Sequence, residues 1–353
     1  MIPDQDIYAQ HEITQPTPLL DAQGSLVQVG WARQPLLDCN LEAVHFYHFP
    51  GHSWQRFRVK RWDYYGLTTP THFYAFTLAD LGYAGQVFAY VVDFEARTHH
   101  EETLTLPLGR GITLPRNSTE GVSSYQGEQV QLSFQVAPEG RRLSLAWPGF
   151  GGAGLSAEIL FHLPPQHESL VITIPIEERR FYYNRKVNCL PAEGWVENQG
   201  RRTILDPDKH LGNLDWGRGV WAYRSFWVWA SASGFLADKR PIGLNLGFGF
   251  GDTTAATENA LFLAGRIHKL GQVDFSYDDR DFMRPWRMVA PDGRLDLQFT
   301  PFLDRVAATN LLLITSKVHQ LFGHYSGTVQ TDEGEVLQIE GLLGFAEEHH
   351  ARW

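Results

Sequence analysis

Residues 213–251 read NLDWGRGVWAYRSFWVWASASGFLADKRPIGLNLGFGFG, and their period is two. Side chains alternate along a strand, so Ser225–Ser233 places Ser225, Trp227, Trp229, Ser231 and Ser233 on one face and Phe226, Val228, Ala230 and Ala232 on the other. Gly243–Gly251 likewise puts Leu244, Leu246, Phe248 and Phe250 on one face, and Gly243, Asn245, Gly247, Gly249 and Gly251 on the opposite one. Glycine weakens a strand, so a face nearly bare of side chains calls for close approach of a ligand or another part of the chain. The expectation is a Gly face opposing Trp rings across a barrel interior. That space is either packed with the rings or left as a ligand cavity.

Working outward, alternation recurs from about residue 45 to the end, with no helical segment of three turns. Strands are expected at Gln86–Phe94, Glu128–Val136, Arg141–Trp147, Leu155–Leu163 and Ser169–Ile176, separated by Pro- and Gly-rich turns. Ala260–Leu270 and Arg287–Pro301 read as hairpins around Ala264-Gly265-Arg266 and Pro291-Asp292-Gly293, and a further turn falls at Asp332-Glu333-Gly334. So many short strands imply an all-β fold of sandwiches or barrels, because one sheet of this size has to close or split to hide its edges. At 353 residues the chain exceeds one ordinary domain of roughly 100–200 residues. The least regular stretch, Tyr182–Asn213, sets the expected boundary: an N-terminal β-barrel or sandwich at 1–185 and a C-terminal barrel with the candidate pocket at 186–353.

Composition narrows the function. Apolar residues make up 43% and charged residues 20%, which is globular. Thirty Lys and Arg against 40 Asp and Glu leave a net charge of −10, which removes the electrostatic grip on nucleic acid and anionic lipid. Two cysteines, Cys39 and Cys189, build neither a disulfide framework nor a structural zinc site, as expected of a cytoplasmic protein. The N-terminal residues lack a signal-peptide pattern, and no run reaches the roughly 18 apolar residues of a membrane span. No cofactor or metal is expected. The 13% aromatic content, with 11 Trp and 33 Gly, suits an aromatic-lined site for a small molecule.

Ionisable groups flank the Trp and Gly strands. Asp215-Trp216-Gly217-Arg218 and Tyr223-Arg224 precede them, Asp252 and Glu258-Asn259 follow, and Asp281–Arg287 (DFMRPWR, with Trp286) lies beyond. Burial raises a carboxyl pKa and a guanidinium lowers it, so Asp215 reads either as a proton donor or as half of a structural Asp–Arg pair. In Thr315–Gly327, TSKVHQLFGHYSG, alternation puts His319 and Tyr325 on one face with Gly323. Four further motifs read as bland. Gly149–Gly154 fits G-x-G-x-x-G yet precedes a strand and is a turn. His99-His100-Glu101-Glu102 and Glu347-Glu348-His349-His350 alternate between faces and are expected to be solvated. Asn117-Ser118-Thr119 fits a glycosylation pattern that matters only in a secretory compartment.

The segments FYYNRKVNCLPAEGWV, LDWGRGVWAYRSFWVWASASG, GLNLGFGFGDTTAATENALFLAGRIHKL, DFMRPWR and HQLFGHYSG strongly resemble the bacterial and fungal family called domain of unknown function 2804. More distantly, the Asp-Trp-Gly near the middle and the N-A-L-F-x-x-G-x-x-H-K-L hairpin are similar to the carotenoid 1,2-hydratase and AttH-like superfamily. That resemblance implies two packed lipocalin-like, calycin-type antiparallel barrels. It also implies a role for the Asp215-Trp216 position in protonating or folding an apolar polyene.

Three functions compete. The first is a cofactor-independent lyase, hydratase or isomerase with Asp215 as acid, assisted by Tyr223 or His319. Trp216, Trp227, Trp229, Asn245, Asn259, Trp286, Arg218, Arg224, Arg287 and Tyr325 would then bind substrate. The second is a carbohydrate-active hydrolase that pairs Asp215 with Asp252 or Glu258. The third is a non-catalytic carrier of an apolar ligand. Arginines near Asp215 would keep it ionised and repel a carbocation, which weighs against polyene chemistry.

Overall fold

A computed structural model describes residues 10–47, 52–311 and 314–352. The chain forms β1 (Gly30–Ala32), β2 (Val59–Thr68), β3 (His72–Asp80), β4 (Ala84–Asp93), β5 (Thr98–Pro107), β6 (Val122–Gln126), β7 (Gln131–Ala137), β8 (Gly140–Trp147), β9 (Leu155–His162), β10 (Leu170–Glu177), β11 (Arg180–Asn198), β12 (Arg201–Leu205) and β13 (Leu211–Val220). It continues as β14 (Arg224–Phe235), β15 (Pro241–Phe248), β16 (Ala260–Leu263), β17 (Arg266–Lys269), β18 (Asp274–Ser276), β19 (Trp286–Val289), β20 (Leu295–Leu311), β21 (Ile314–Gln330) and β22 (Val336–Arg352). Helix among the described residues is confined to single turns at Leu41–Ala43, His52–Gln55 and Phe150–Gly152.

The strands make two curled antiparallel sheets. The first takes β1–β13, with the central order β5-β4-β3-β2-β13-β11-β9-β8-β7-β6; the second takes β14–β22, in the order β17-β16-β15-β14-β22-β21-β20-β19-β18. Each curls around its own core. Tyr65, Leu67, Phe76, Phe134, Phe161, Leu214 and Trp216 fill the first barrel. Val228, Leu244, Leu246, Trp286, Met288, Phe299, Leu321 and Tyr325 fill the second. The outer faces of the central strands pack on each other through two mixed clusters. One holds Tyr182, Trp221, Phe250 and Phe262; the other holds Tyr64, Phe73, Tyr90, Trp229, Phe322 and Phe345. Each large aromatic buried in this seam contributes on the order of 2 kcal/mol.

The change of sheet falls between Val220 and Arg224, not at residue 185. The stretch that looked irregular holds β11, a strand of 19 residues, with β12 and β13. Alternation fails there because of a bulge: the register shifts between Val187 and Leu190, and Cys189 takes φ +60°. The bulge has a use. Asn188 Nδ2 donates to Ser231 Oγ at 2.8 Å and Ala232 O at 3.0 Å, and Cys189 N donates to Ser233 Oγ at 3.0 Å, riveting the first sheet to the second.

This rivet also corrects the reading of the Trp and Gly faces. β14 and β15 are neighbours, with Trp229 opposite Gly247, Ser231 opposite Asn245 and Ser233 opposite Gly243. The Ser/Trp and Gly faces are therefore one continuous face, turned outward to the seam, while the Val/Ala and Leu faces fill the barrel. At Gly243 a Cβ would lie 2.7 Å from Cys189 Sγ, so its bareness admits the bulge. Gly249 and Gly251 lie beyond the strand at φ +90° and +73°, in a turn.

A charged cluster buried between the sheets

Lys186 on β11 and Asp215 on β13 are cross-strand partners in register, and both side chains point outward to the seam. Lys186 Nζ lies 2.9 Å from Asp215 Oδ2 and 3.7 Å from Glu258 Oε2. Asp215 Oδ1 accepts from Asn184 Nδ2 at 2.6 Å. The Lys186 ammonium sits 3.8 Å from the centre of the Trp229 ring, a direct cation–π contact. Trp229 Nε1 donates to Asn245 Oδ1 at 2.7 Å, and Asn245 Nδ2 donates to the Glu258 carbonyl at 2.6 Å. Asn259 completes the scaffold by accepting from Gly247 N at 2.7 Å and donating to Gly271 O at 2.9 Å. Gly247 is bare because the Glu258 carboxylate occupies the place of its side chain: a Cβ there would be 2.5 Å from Oε1.

A second chain of contacts runs beside the first. Glu347 on β22 accepts from Trp227 Nε1 at 3.1 Å and from Gln320 Nε2 at 3.0 Å. Gln320 Oε1 accepts from Arg305 at 3.2 Å, and Arg305 forks onto Glu101 at 2.5 and 3.1 Å. The Arg305 guanidinium lies 3.8 Å over Tyr90, whose hydroxyl is 2.9 Å from that of Tyr64. His349 packs against Trp227 at 4.0 Å between ring centres.

Four carboxyl groups, Glu101, Asp215, Glu258 and Glu347, thus share two cations, Lys186 and Arg305, and all but Glu101 are under 10% exposed. A low-dielectric site with surplus acids holds protons. Burial pushes Glu347 up to about 7, opposed by the Trp227 hydrogen bond and the Arg305 and Lys186 charges and reinforced by Asp215. Burial also raises Glu258, against the pull of Lys186. The His349 imidazole is driven down to about 3 by burial and by Arg305, and stays neutral.

Of the residues singled out in the sequence, the seam gathers Asp215, Glu258, Trp227, Trp229, Asn245 and Asn259. The others lie elsewhere. Trp216 and Arg218 alternate with Asp215 on β13 and point into the first barrel, where Arg218 is 2.9 Å from Asp63. Tyr223 and Arg224 are exposed where the chain changes sheets. Asp252 is exposed and caps its own turn through Thr254. Arg287 is an exposed partner of Asp296 at 2.9 Å. Trp286 and Tyr325 belong to the second barrel's core, with the Tyr325 hydroxyl donating to Phe345 O at 2.6 Å. His319 and Tyr325 do share a face, but it is the barrel-filling face, and His319 is held by Asp304 at 2.8 Å.

Sequence reasoning missed Lys186, Asn184, Arg305, Gln320, Tyr64 and Tyr90. It also set aside the runs that hold Glu101 and Glu347 as solvated. The available signal was alternation along β22: Phe345, Glu347 and His349 share the face of a large aromatic and are turned to the seam.

The chain is similar to two solved structures at low identity. Kievitone hydratase from Nectria haematococca is 12% identical with TM-score 0.47, over 83% of this chain and 88% of that one. An AttH-type protein from Nitrosomonas europaea is 14% identical with TM-score 0.43, over 84% and 92%. No functionally curated protein matches the chain. The model of the domain of unknown function DUF2804 matches residues 10–353, and the chain belongs to that family.

Proposed function

We propose that the protein is a cofactor-independent acid–base enzyme of the lyase or hydratase type, acting on a small unsaturated molecule at the seam between its two barrels. The observation that supports this reading is Glu347: a buried carboxyl that holds its proton near neutral pH, hydrogen-bonded to an indole at the edge of an acid-rich cluster. A general acid works best with a pKa near the working pH. Glu347 gives its proton to one carbon of a double bond, water adds to the other carbon, and the proton that water sheds returns to the Glu347 carboxylate.

Arg218 is turned into the first barrel and Arg224 and Arg287 are exposed, so the cations nearest Glu347 are Arg305, reached through Gln320, and Lys186. Giving up its proton leaves Glu347 as a carboxylate beside the developing positive charge, and Trp227 offers a ring. Asp215 moves from acid to fixed counter-charge, because both its oxygens already accept hydrogen bonds, from Asn184 and Lys186. Half-buried Trp227 at the start of the buried part of β14 is the side chain that would swing aside for substrate. The glycosidase reading loses support: Asp252 is exposed and engaged by Thr254 in its own turn, and Lys186 bridges Asp215 and Glu258. The engagement of Asp215 favours a carrier as the second reading.

The test begins with native mass spectrometry of the purified protein to identify a ligand retained from the expression host. That ligand and a panel of aryl and isoprenoid alkenes are then incubated with the protein in isotopically heavy water. The expected outcome is a product heavier by one water, formed about 100-fold or more slowly by Glu347→Gln and at the normal rate by Asp252→Asn. Return of every compound unchanged supports the carrier and contradicts the enzyme.

A further inference from the structure

The same central strands carry a second buried charged cluster on their opposite face, inside the first barrel. Arg185 on β11, Arg218 on β13 and Arg141 on β8 all project inward, each no more than 5% exposed. Of the three, Arg218 alone meets an acid, lying 2.9 Å from Asp63 on β2, to which Ser123 Oγ also donates. Arg141 and Arg185 have no carboxylate partner among the described residues. Both instead converge on one carbonyl, that of Ser118, with Arg185 at 3.2 Å; Arg185 also donates to Ser169 Oγ at 3.0 Å.

Two guanidiniums sharing a neutral acceptor in a dry interior repel each other, and a buried charge without a counter-charge is costly. Among the described residues three donors there lack an acceptor, Arg141 Nε, Arg218 Nε and Trp216 Nε1, and one acceptor, Asp63 Oδ1, has only its ion-pair contact with Arg218. A small cavity of about 10 Å³ lies among Arg141, Trp216, Ser118, Ser123, Asn117 and Asp63. That is room for roughly one water-sized particle.

We propose that this cavity is a structural site for a small monovalent anion of halide size, held between Arg141 and Trp216 Nε1 with the Ser118 segment beside it. One negative charge supplies the counter-ion that Arg141 and Arg185 lack and accepts from donors that no side chain reaches. The space excludes a carboxylate-bearing metabolite or a phosphate. Burial of Arg185 together with the nearby Arg141 lowers its pKa to about 9, a direction an anion would oppose.

The probe is bromide. Crystals of the full chain grown in bromide should show an anomalous scattering peak in the cavity beside Arg141 and Trp216. Melting temperature should rise saturably with chloride or bromide and not with gluconate, which is too large for the cavity, at equal ionic strength. Trp216→Phe, which removes only the Nε1 donor, and Arg141→Gln should each raise the half-saturating halide concentration, by at least about tenfold for Arg141→Gln. If Arg141→Gln does not fold, the bromide peak and the halide dependence of the unmodified protein decide the matter. No peak, together with equal melting in chloride and gluconate, would overturn the proposal and leave a bound water in its place.

Discussion

At the residue scale, Asp215 and Glu347 carry the same functional group and face the same seam, yet their surroundings give them different tasks. Asp215 is saturated by Lys186 at 2.9 Å and Asn184 at 2.6 Å. Removing its charge leaves a buried ammonium with only the more distant Glu258, so Asp215→Asn is expected to lower stability by about 3–5 kcal/mol in urea denaturation. Equal stability would show the pair to be dispensable. Glu347 has the opposite profile. Its folded-state value of about 7 lies above the ordinary 4.5, so the native state binds a proton that the unfolded chain has released. Stability from this group is present below pH 4.5 and is lost as pH rises through 7. The loss amounts to about 3 kcal/mol, from 1.36 kcal/mol per unit. Between pH of about 5 and about 8, Glu347→Gln should therefore gain on the wild type by up to about 3 kcal/mol. His349 runs the other way, its contribution lost as pH falls from 6.5 toward 3, but it is common to both proteins and cancels in the difference.

At the element scale, β11 is the piece that makes two barrels into one molecule. Its outward residues supply Asn184 and Lys186 to the charged seam, its inward Arg185 joins the first barrel's arginines, and its bulge docks on Ser231 and Ser233. Asn188→Ala would strand several buried partners of the amide and is expected to cost about 2–3 kcal/mol, measured by denaturation at fixed pH. A change under about 0.5 kcal/mol would mean that the rivet is idle. The same element shows where legibility ended. β14, the hairpins at Ala264-Gly265 and Asp292-Gly293 and the turn at Gly334 were plain in the sequence, since each is a local pattern of alternation and turn residues. β11 was not, because one bulge inverts the alternation halfway along and makes a long strand read as irregular. The Trp and Gly faces were read correctly strand by strand. Their relation was not, because whether two faces oppose or adjoin depends on which strands pair and on which side the sheet curls. Lys186 and Glu347 escaped for the same reason: Lys186 meets Trp229 only once the sheets are stacked, and Glu347 meets Trp227, 120 residues away, only once β14 and β22 pair.

At the scale of the whole molecule, the two barrels divide the labour of burial. Each has an apolar core of its own, and the polar groups that a core rejects are collected in two places: the arginine-rich interior of the first barrel and the acid-rich seam between the two. No helix among the described residues is long and apolar enough to cross a membrane. The seam has more carboxyls than cations, and its surplus is held as protons rather than as unpaired charge. The proposed chemistry depends on that store of protons, because a seam without a protonated acid has nothing to donate. Infrared difference spectroscopy tests it directly. The spectrum of the wild type minus that of Glu347→Gln is followed from about pH 5 to about 9 in the carbonyl-stretch region of a protonated carboxylic acid. The account predicts a Glu347 band that disappears with a midpoint near 7. A band already absent at pH of about 5, as for an ordinary solvated glutamate, would contradict it.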